Sequence, residues 1–308
     1  MFSSLVYILF VFIIMLLGMA FFTLLERKCL GYFHLRKGPN KVSVLGLTQP
    51  FADALKLFLK ELNKPSFSNI YPFFIAPGFS LFLSIFMWIL YPSSTPSFYI
   101  ILGVLMFMCV SSLNVYPIIS SGWCSNSKYS LLGALRGVAQ TISYEVSMAL
   151  ILMSCLIIFK EMDMSFIFQN YYFYVVFIMV ILFFVWFVTC LAETNRTPFD
   201  LSEGESELVS GFNTEYSGGT FALIFMAEYL NIIIMSVLTS LFFFIPPFLI
   251  LKDFLFPFFV LFFCFVYVWV RASFPRMRYD RLMNMTWKCF LPFSISMLCF
   301  VYPMFIML

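Results

Sequence analysis

LVYILFVFIIMLLGMAFFTLL, residues 5–25, runs 21 residues without a charge, and Glu26-Arg27-Lys28 follows at once. A helix rises about 1.5 Å per residue, so about 20 apolar residues cross the roughly 30 Å hydrocarbon layer of a bilayer. The run is long enough to span. It lacks the charged start and small-residue cleavage site of a removed signal peptide. The same pattern recurs, predicting further spans at residues 71–91, 98–118, 131–159, 172–191, 221–244, 254–272 and 287–306. The fold class is all-α, a polytopic membrane protein of about eight transmembrane helices forming a single domain over residues 1–308. Composition agrees: 62% hydrophobic and 11% charged residues exclude both an ordinary soluble domain and a disordered chain. Pro246-Pro247 marks residues 245–251 as a turn or short re-entrant piece.

Charge sets the orientation. Of the 18 Lys and Arg residues, all but Lys160 and Lys252 belong to the connections after the first, third, fifth and seventh spans, or to Arg136 just inside the fourth. That face is cytoplasmic in a bacterium or matrix in a mitochondrion. Its connections differ in sign. Residues 26–64 carry eight basic and three acidic groups, residues 271–288 five basic and one acidic. Residues 192–216 carry Arg196 against Glu193, Asp200, Glu203, Glu205, Glu207 and Glu215. An acidic loop between basic ones suggests mutual ion pairing, and its Pro198, Phe199, Leu208 and Phe212 suggest that it folds back onto protein.

One segment is neither span nor loop. From Thr48-Gln49-Pro50, a helix start, Phe51, Ala54, Leu55, Phe58, Leu59 and Leu62 recur at steps of three and four, with Asp53, Lys56 and Lys60 opposite. Residues 50–62 thus form an amphipathic helix too short to span, which lies in the interface plane. Glu145 and Glu228 fall within spans, where an acid marks an ion or proton path unless Arg136, Lys128 or a backbone donor pairs it. Glu26-Arg27-Lys28 closes the first span, where snorkelling to the interface is a sufficient explanation. Eight cysteines without a C-x-x-C pair, and one histidine, support no metal or iron–sulfur site.

Four same-side stretches carry a resemblance. They are LLERKCLGYFHLRKGPNKVSVLGLTQPFADALKLFLKE (24–61), GWCSNSKYSLLGALRGVAQTISYEVS (122–147), AETNRTPFDLSEGESELVSGFNTEYSGGTFALIFMAEY (192–229) and RASFPRMRYDRLMNMTWKCFLPFS (271–294). Each resembles the membrane-subunit family of chain 1 of NADH:ubiquinone oxidoreductase, respiratory complex I, and the likeness runs over essentially the full length. His34, Asn63 and Arg281 depart from the family's usual residues. The resemblance implies a subunit that joins the membrane arm to the peripheral arm and forms the entrance tunnel for ubiquinone or a related quinone. It implies that NADH-derived electrons reaching that quinone are coupled to proton translocation. The flavin and the iron–sulfur clusters are then held by other subunits, especially those of the peripheral arm. Partners are those subunits, neighbouring membrane-arm subunits and lipid, with no nucleic acid.

The family's tunnel residues map onto Glu26, Arg27, Arg36, Lys37, Phe51, Asp53, Lys56, Phe225 and Glu228. Its proton-coupling residues map onto Glu145, Glu193, Arg196, Asp200, Glu203, Glu205, Glu207, Glu215 and Glu228. The charge-poor composition and the lack of an Arg/Ser-rich transit peptide suggest the mitochondrial inner membrane, with the long charged loops facing the matrix. The rival readings are an ion-coupled secondary transporter carrying on Glu145 and Glu228, the equivalent subunit of a membrane-bound hydrogenase, and a passive anchor. No repeat of the transporter kind is visible in the sequence.

Overall fold

The computed structural model describes residues 2–93, 99–170, 175, 179–246 and 252–306, and of residues 2–5, 7, 8, 205, 206 and 304–306 the backbone alone. Among the described residues there is no strand, and seven helical segments are long and apolar enough to cross a membrane. Helix α1 (Phe2–Phe33) is followed by the short α2 (Gln49–Leu59), α3 (Ile70–Met87), α4 (Gly103–Leu113) and α5 (Val115–Cys124). Next come α6 (Lys128–Phe159), α7 (Met164–Asn170), α8 (Val180–Glu193) and the single turn α9 (Glu205–Leu208). Helices α10 (Gly219–Phe243), α11 (Lys252–Ser273), α12 (Tyr279–Met285) and α13 (Leu291–Ile306) complete the chain.

The differences from the predicted spans have local causes. Helix α1 continues past residue 25 through Glu26-Arg27-Lys28, because Glu26 turns inward and meets arginines from other segments. Glu26 is therefore not a snorkelling side chain. In place of one span at 98–118, α4 and α5 cover Gly103–Cys124 and break at Asn114. Pro117 lacks the N–H that would reach back across this break, and the Asn114 N–H closes a tight turn onto the Ser111 carbonyl at 3.0 Å. The extra turn, with Ser120, Ser121 and Gly122, is too polar to read as a span in sequence. It is helical because Gly122 packs on α6 so closely that a Cβ there would come within 2.3 Å of the Ala134 side chain. At the other end of the chain, α12 and α13 run on through one π turn at Thr286–Phe290, so the last helix starts before residue 287. The span expected at 172–191 lies partly outside the described residues. Its described part is the 14-residue helix α8.

Helix α6 forms the centre, with Tyr144, Met148, Ile151, Leu152, Cys155 and Phe159 buried at helical spacing. Helices α5, α8, α10 and α13 surround it or its neighbours, and α1 and α11 present exposed apolar stripes, Phe10, Ile13, Ile14 and Leu17 on the first and Phe258, Leu261 and Phe262 on the second. The acidic segment lies directly on the small-residue side of α6. A Cβ on Gly133 would meet the Gly211 backbone at 2.9 Å, and one on Gly137 the Ser202 side chain at 3.0 Å. Gly211 itself has φ +56° and no room for a side chain.

A second fastening starts from Pro77, inside α3. Proline has no N–H, so it leaves the Phe73 carbonyl one turn back without its helical donor. The Tyr216 hydroxyl donates to that carbonyl at 3.1 Å, and the Tyr216 ring stacks on Phe73 at 4.2 Å and 2°. Removing the hydroxyl while keeping the ring, as in Tyr216→Phe, strands a buried acceptor at a cost of about 1 kcal/mol. Amide exchange over residues 202–218 should then quicken by about fivefold in the assembled protein, as that free energy implies. Unchanged protection would show that the hydroxyl does not hold the segment.

Candidate functional site

The first connection turns back on itself at Gly38, whose φ of +65° and lack of a side chain let it lie against Lys28. The Arg36 N–H donates to the Gly31 carbonyl at 2.7 Å, closing the end of α1. Helix α2 is pinned at both ends. Arg27 meets Asp53 at 2.5 Å. The Asn63 backbone N–H donates to the Ser217 hydroxyl at 3.0 Å, and its side-chain amide donates to the Glu215 carbonyl at 3.4 Å. Glycines 218 and 219 let the end of α2 come against the start of α10. Phe51 meets Phe21 edge-on, and Phe225 lies between Phe221 and Tyr229 on α10. Lys56, Arg36 and Lys37 are exposed and stand apart from the buried charges.

The buried charges gather around Arg196. At the end of α8, Asn195 adopts φ +49°, and the following Arg196 turns inward. Its guanidinium lies 3.6 Å from Glu26, 4.0 Å from Glu228 and 4.7 Å above the Tyr229 ring. Arg271, at the end of α11, donates to the same Glu26 oxygen, Oε1. Thus α1, the turn after α8, α10 and α11 bring Glu26, Arg196, Glu228 with Tyr229, and Arg271 to a single cluster. Burial disfavours the Arg196 charge, but Glu26, Tyr229, Glu228 and Glu203 together outweigh it and hold the group above its ordinary value. Arg196 therefore stays a cation throughout the physiological range.

Beside it, Glu203 accepts a hydrogen bond from Asn213 at 2.9 Å, and Arg276 reaches Asp200 at 2.8 Å. Burial and the neighbouring Asp200 push the Glu203 carboxyl above the usual range, against the pull of Arg196 and Arg271. Gln140, fully buried on α6, donates to the carbonyls of Ala192 at 2.9 Å and Phe199 at 2.7 Å, clamping both ends of this turn.

The remaining acids fall elsewhere. Glu193 and Glu145 lie near enough for their charges to oppose each other. Neither the buried Oε1 of Glu145 nor the buried Oε2 of Glu193 has a hydrogen-bond partner among the described residues. Arg136, a sequence candidate to neutralise Glu145, instead meets Glu207 at 2.6 Å near the surface, a contact worth under about 1 kcal/mol. Glu215 stands at the far end of the loop, and the Glu205 side chain lies outside the described residues. The acidic segment does pair with the basic connection at residues 271–288, through Asp200 and Arg276. Among the described residues no basic side chain of the first connection pairs with it, and Asn63 makes that link instead. Sequence reasoning passed over Tyr229, Arg271, Arg276, Asn213 and Gln140. The adjacency of Tyr229 to Glu228 was the one local signal.

A cavity of about 70 Å³ opens between α3, α5, α6 and α10, with Glu193 and Glu228 both on its wall. Among the described residues no group of three or more His, Cys, Asp and Glu side chains could hold a metal ion.

Comparison with known proteins gives one consistent answer. A family described as NADH dehydrogenase matches residues 6–302. A protein of Heterololigo bleekeri named NADH-ubiquinone oxidoreductase chain 1 is 55% identical over 93% of this chain and 92% of its own length. Proteins of the same name from Aedes aegypti and Artemia franciscana are 52% and 50% identical, covering 96% and 97% of this chain and 94% and 98% of their own lengths.

The raised Glu203 carboxyl gives the acidic segment a pH dependence of known sign. The folded state holds this proton more tightly than the unfolded state. Its contribution to stability is therefore full below the ordinary carboxylate range and is lost as pH rises through the folded value. Amide protection over residues 199–213 should fall as pH rises through that window, and Glu203→Gln should flatten the slope. A slope of opposite sign, or one unchanged in Glu203→Gln, overturns the assignment.

Proposed function

The chain belongs to the family of NADH-ubiquinone oxidoreductase chain 1, a membrane subunit of the respiratory complex I enzyme, and from that premise we propose that its Arg196 cluster is where quinone chemistry is converted into proton movement. Membership sets aside the transporter, hydrogenase and passive-anchor readings. The chain is a multi-pass membrane protein and works beside other complex I subunits. We further propose that it lies in the mitochondrial inner membrane as one membrane domain, its charged connections facing the matrix. No complete active site lies in this chain alone, and the electrons come from other subunits.

The observation that carries the proposal is the meeting of Arg196 with Glu26 and Glu228 from separate helices, beside Tyr229. A quinone has an apolar tail and a polar head. Helix α2 supplies an interfacial lip for the tail, fastened to α1 through Arg27 and Asp53. Phe51 and Phe225 are aromatic surfaces along the route from that lip toward Glu228. Arg36, Lys37 and Lys56, exposed on the same connection, serve at its rim with the peripheral arm.

Reduction of the head to quinol takes two electrons and two protons and passes through states of greater negative charge. Negative charge arriving beside a carboxylate raises its proton affinity. Glu203 already sits high, so it takes up a proton readily. The same negative charge competes with Glu26 and Glu228 for Arg196, whose contacts at 3.6 and 4.0 Å are loose enough to re-form on another anion. A shift of Arg196 toward the head leaves Glu228 less well compensated, and Glu228 protonates. Coupled carboxylates of this kind titrate as a set. From Glu228 the proton passes toward Glu193 and Glu145, with Asp200, Glu207 and Glu215 shaping the field of the loop.

Glu228→Gln keeps the shape and removes the titration. In the assembled complex it should lower quinone-linked NADH oxidation by about a hundredfold, the low end of what a positioned proton-transfer group contributes. Electron delivery to ferricyanide, upstream and in other subunits, should persist. Loss of both activities, or of neither, would count against a quinone-side role.

A further inference from the structure

The connection between α11 and α12 forms a pocket that the Arg196 cluster does not use. It encloses about 460 Å³, a volume typical of a small-ligand site. Pro198, Phe274, Pro275 and Met277 make its apolar walls, and Arg276, Arg278 and Arg281 bring three guanidiniums to it. Arg276 reaches Asp200 at 2.8 Å. Arg278 and Arg281 are exposed, and neither forms an ion pair among the described residues, although Asp280 lies between them in the chain. The pocket is also tied to the acidic segment by its backbone, since the Met277 N–H donates to the Pro198 carbonyl at 2.9 Å.

Two uncompensated guanidiniums in one concavity call for an anion, and their planar forks suit the paired oxygens of a phosphate. The apolar walls say what the phosphate is attached to. Helix α11 is a candidate membrane span that ends at Ser273, just before the pocket. Its exposed stripe of Phe258, Leu261, Phe262, Phe265 and Trp269 recurs at helical spacing up to that end, and the exposed Phe274 follows on the pocket wall. Aromatic side chains concentrate where the hydrocarbon gives way to head groups. An acyl chain lying on the stripe therefore brings its head to the arginines. A soluble anion would leave the stripe and the apolar walls uncovered.

We propose that this pocket binds the phosphodiester head of an anionic phospholipid, with Arg278 and Arg281 holding the phosphate and Phe274 beside the start of the acyl chains. Basic pockets at the ends of spanning helices recognise such heads by the same chemistry. A zwitterionic head fits less well, because it brings a cation of its own against the arginines. The bound lipid fastens residues 274–281 and, through Met277 and Arg276, the Pro198–Asp200 turn of the acidic segment. The order of that turn thus depends on the lipid around the subunit. The site is independent of the role given to Glu228, so either can fail without the other.

The test uses the assembled complex in nanodiscs of phosphatidylcholine, with or without phosphatidylglycerol. Phosphatidylglycerol should slow amide exchange over residues 274–283 and 198–202, and a photoreactive phosphatidylglycerol should label residues 274–281. In the double variant Arg278→Gln, Arg281→Gln, the amount of lipid giving half labelling should rise by about tenfold or more, as the loss of hydrogen bonds to a charged group implies. Lysine at both positions keeps the charge and should recover part of the affinity. If the double variant does not assemble, Arg281→Gln alone is measured in the same way. Unchanged labelling in the glutamine variant, or equal protection by the two lipids, overturns the proposal. Displacement of the label by inorganic phosphate, with slowed exchange on adding phosphate to discs of phosphatidylcholine alone, makes this a site for a soluble anion and overturns the lipid. Release of the peripheral arm from the glutamine variant on native gels makes it a docking surface for an acidic protein segment and overturns the lipid as well.

Discussion

Everything distinctive about this protein depends on keeping the Arg196 guanidinium inside a membrane protein. An unpaired buried cation costs several kcal/mol, so the surroundings must supply compensating charge from more than one direction. They do so from helices far apart in the chain: Glu26 on α1 and Glu228 on α10, with Glu203 nearby on the acidic segment. Arg271 from α11 then shares Glu26. None of these groups is tolerable alone at its depth, and each is compensated by the others. The cluster therefore ties α1, α10, α11 and the turn after α8 together through charge.

Such a cluster needs a rigid frame. The acidic segment is a loop, yet it rests against α6 with Gly133 and Gly137 giving it room, and Gln140 holds both ends of its first turn. Tyr216 ties its far end to a carbonyl that Pro77 left open. Asn63 joins it to the end of α2. The loop is thus built into the bundle by backbone contacts and neutral hydrogen bonds. Its charges remain available to respond to one another. A loop fixed mainly by its ion pairs would move whenever they titrated.

The polar cavity continues the same logic deeper into the bundle. Spanning helices normally close every backbone hydrogen bond internally. Here α3 carries Pro77 and the α4–α5 segment breaks at Asn114, both beside the cavity. Water-sized space and amide side chains sit where the helices are interrupted, between Glu228 and Glu193.

The sequence by itself determined the solvent in which the chain folds. Apolar runs long enough to cross a bilayer are a property of composition and length, legible without any contact. The amphipathic α2 was legible for the same reason, since its apolar stripe recurs at helical spacing. Long, specific stretches also placed the acids and arginines of the four charged connections in one family. What only the tertiary structure decided is which of those charges meet. Glu26 follows an ordinary span end and reads as a snorkelling residue, yet it is buried, because Arg196 and Arg271 lie some 170 and 245 positions away in sequence and beside it in space. Arg136 is the near neighbour of Glu145 along the chain and pairs with Glu207 instead. Gln140, Asn114 and Asn231 gave no local signal, because a neutral amide in an apolar helix fits almost any role until its neighbours are known. Hydropathy sums over one segment at a time. Electrostatic compensation and hydrogen bonding depend on distances between segments, and those distances exist only in the folded bundle.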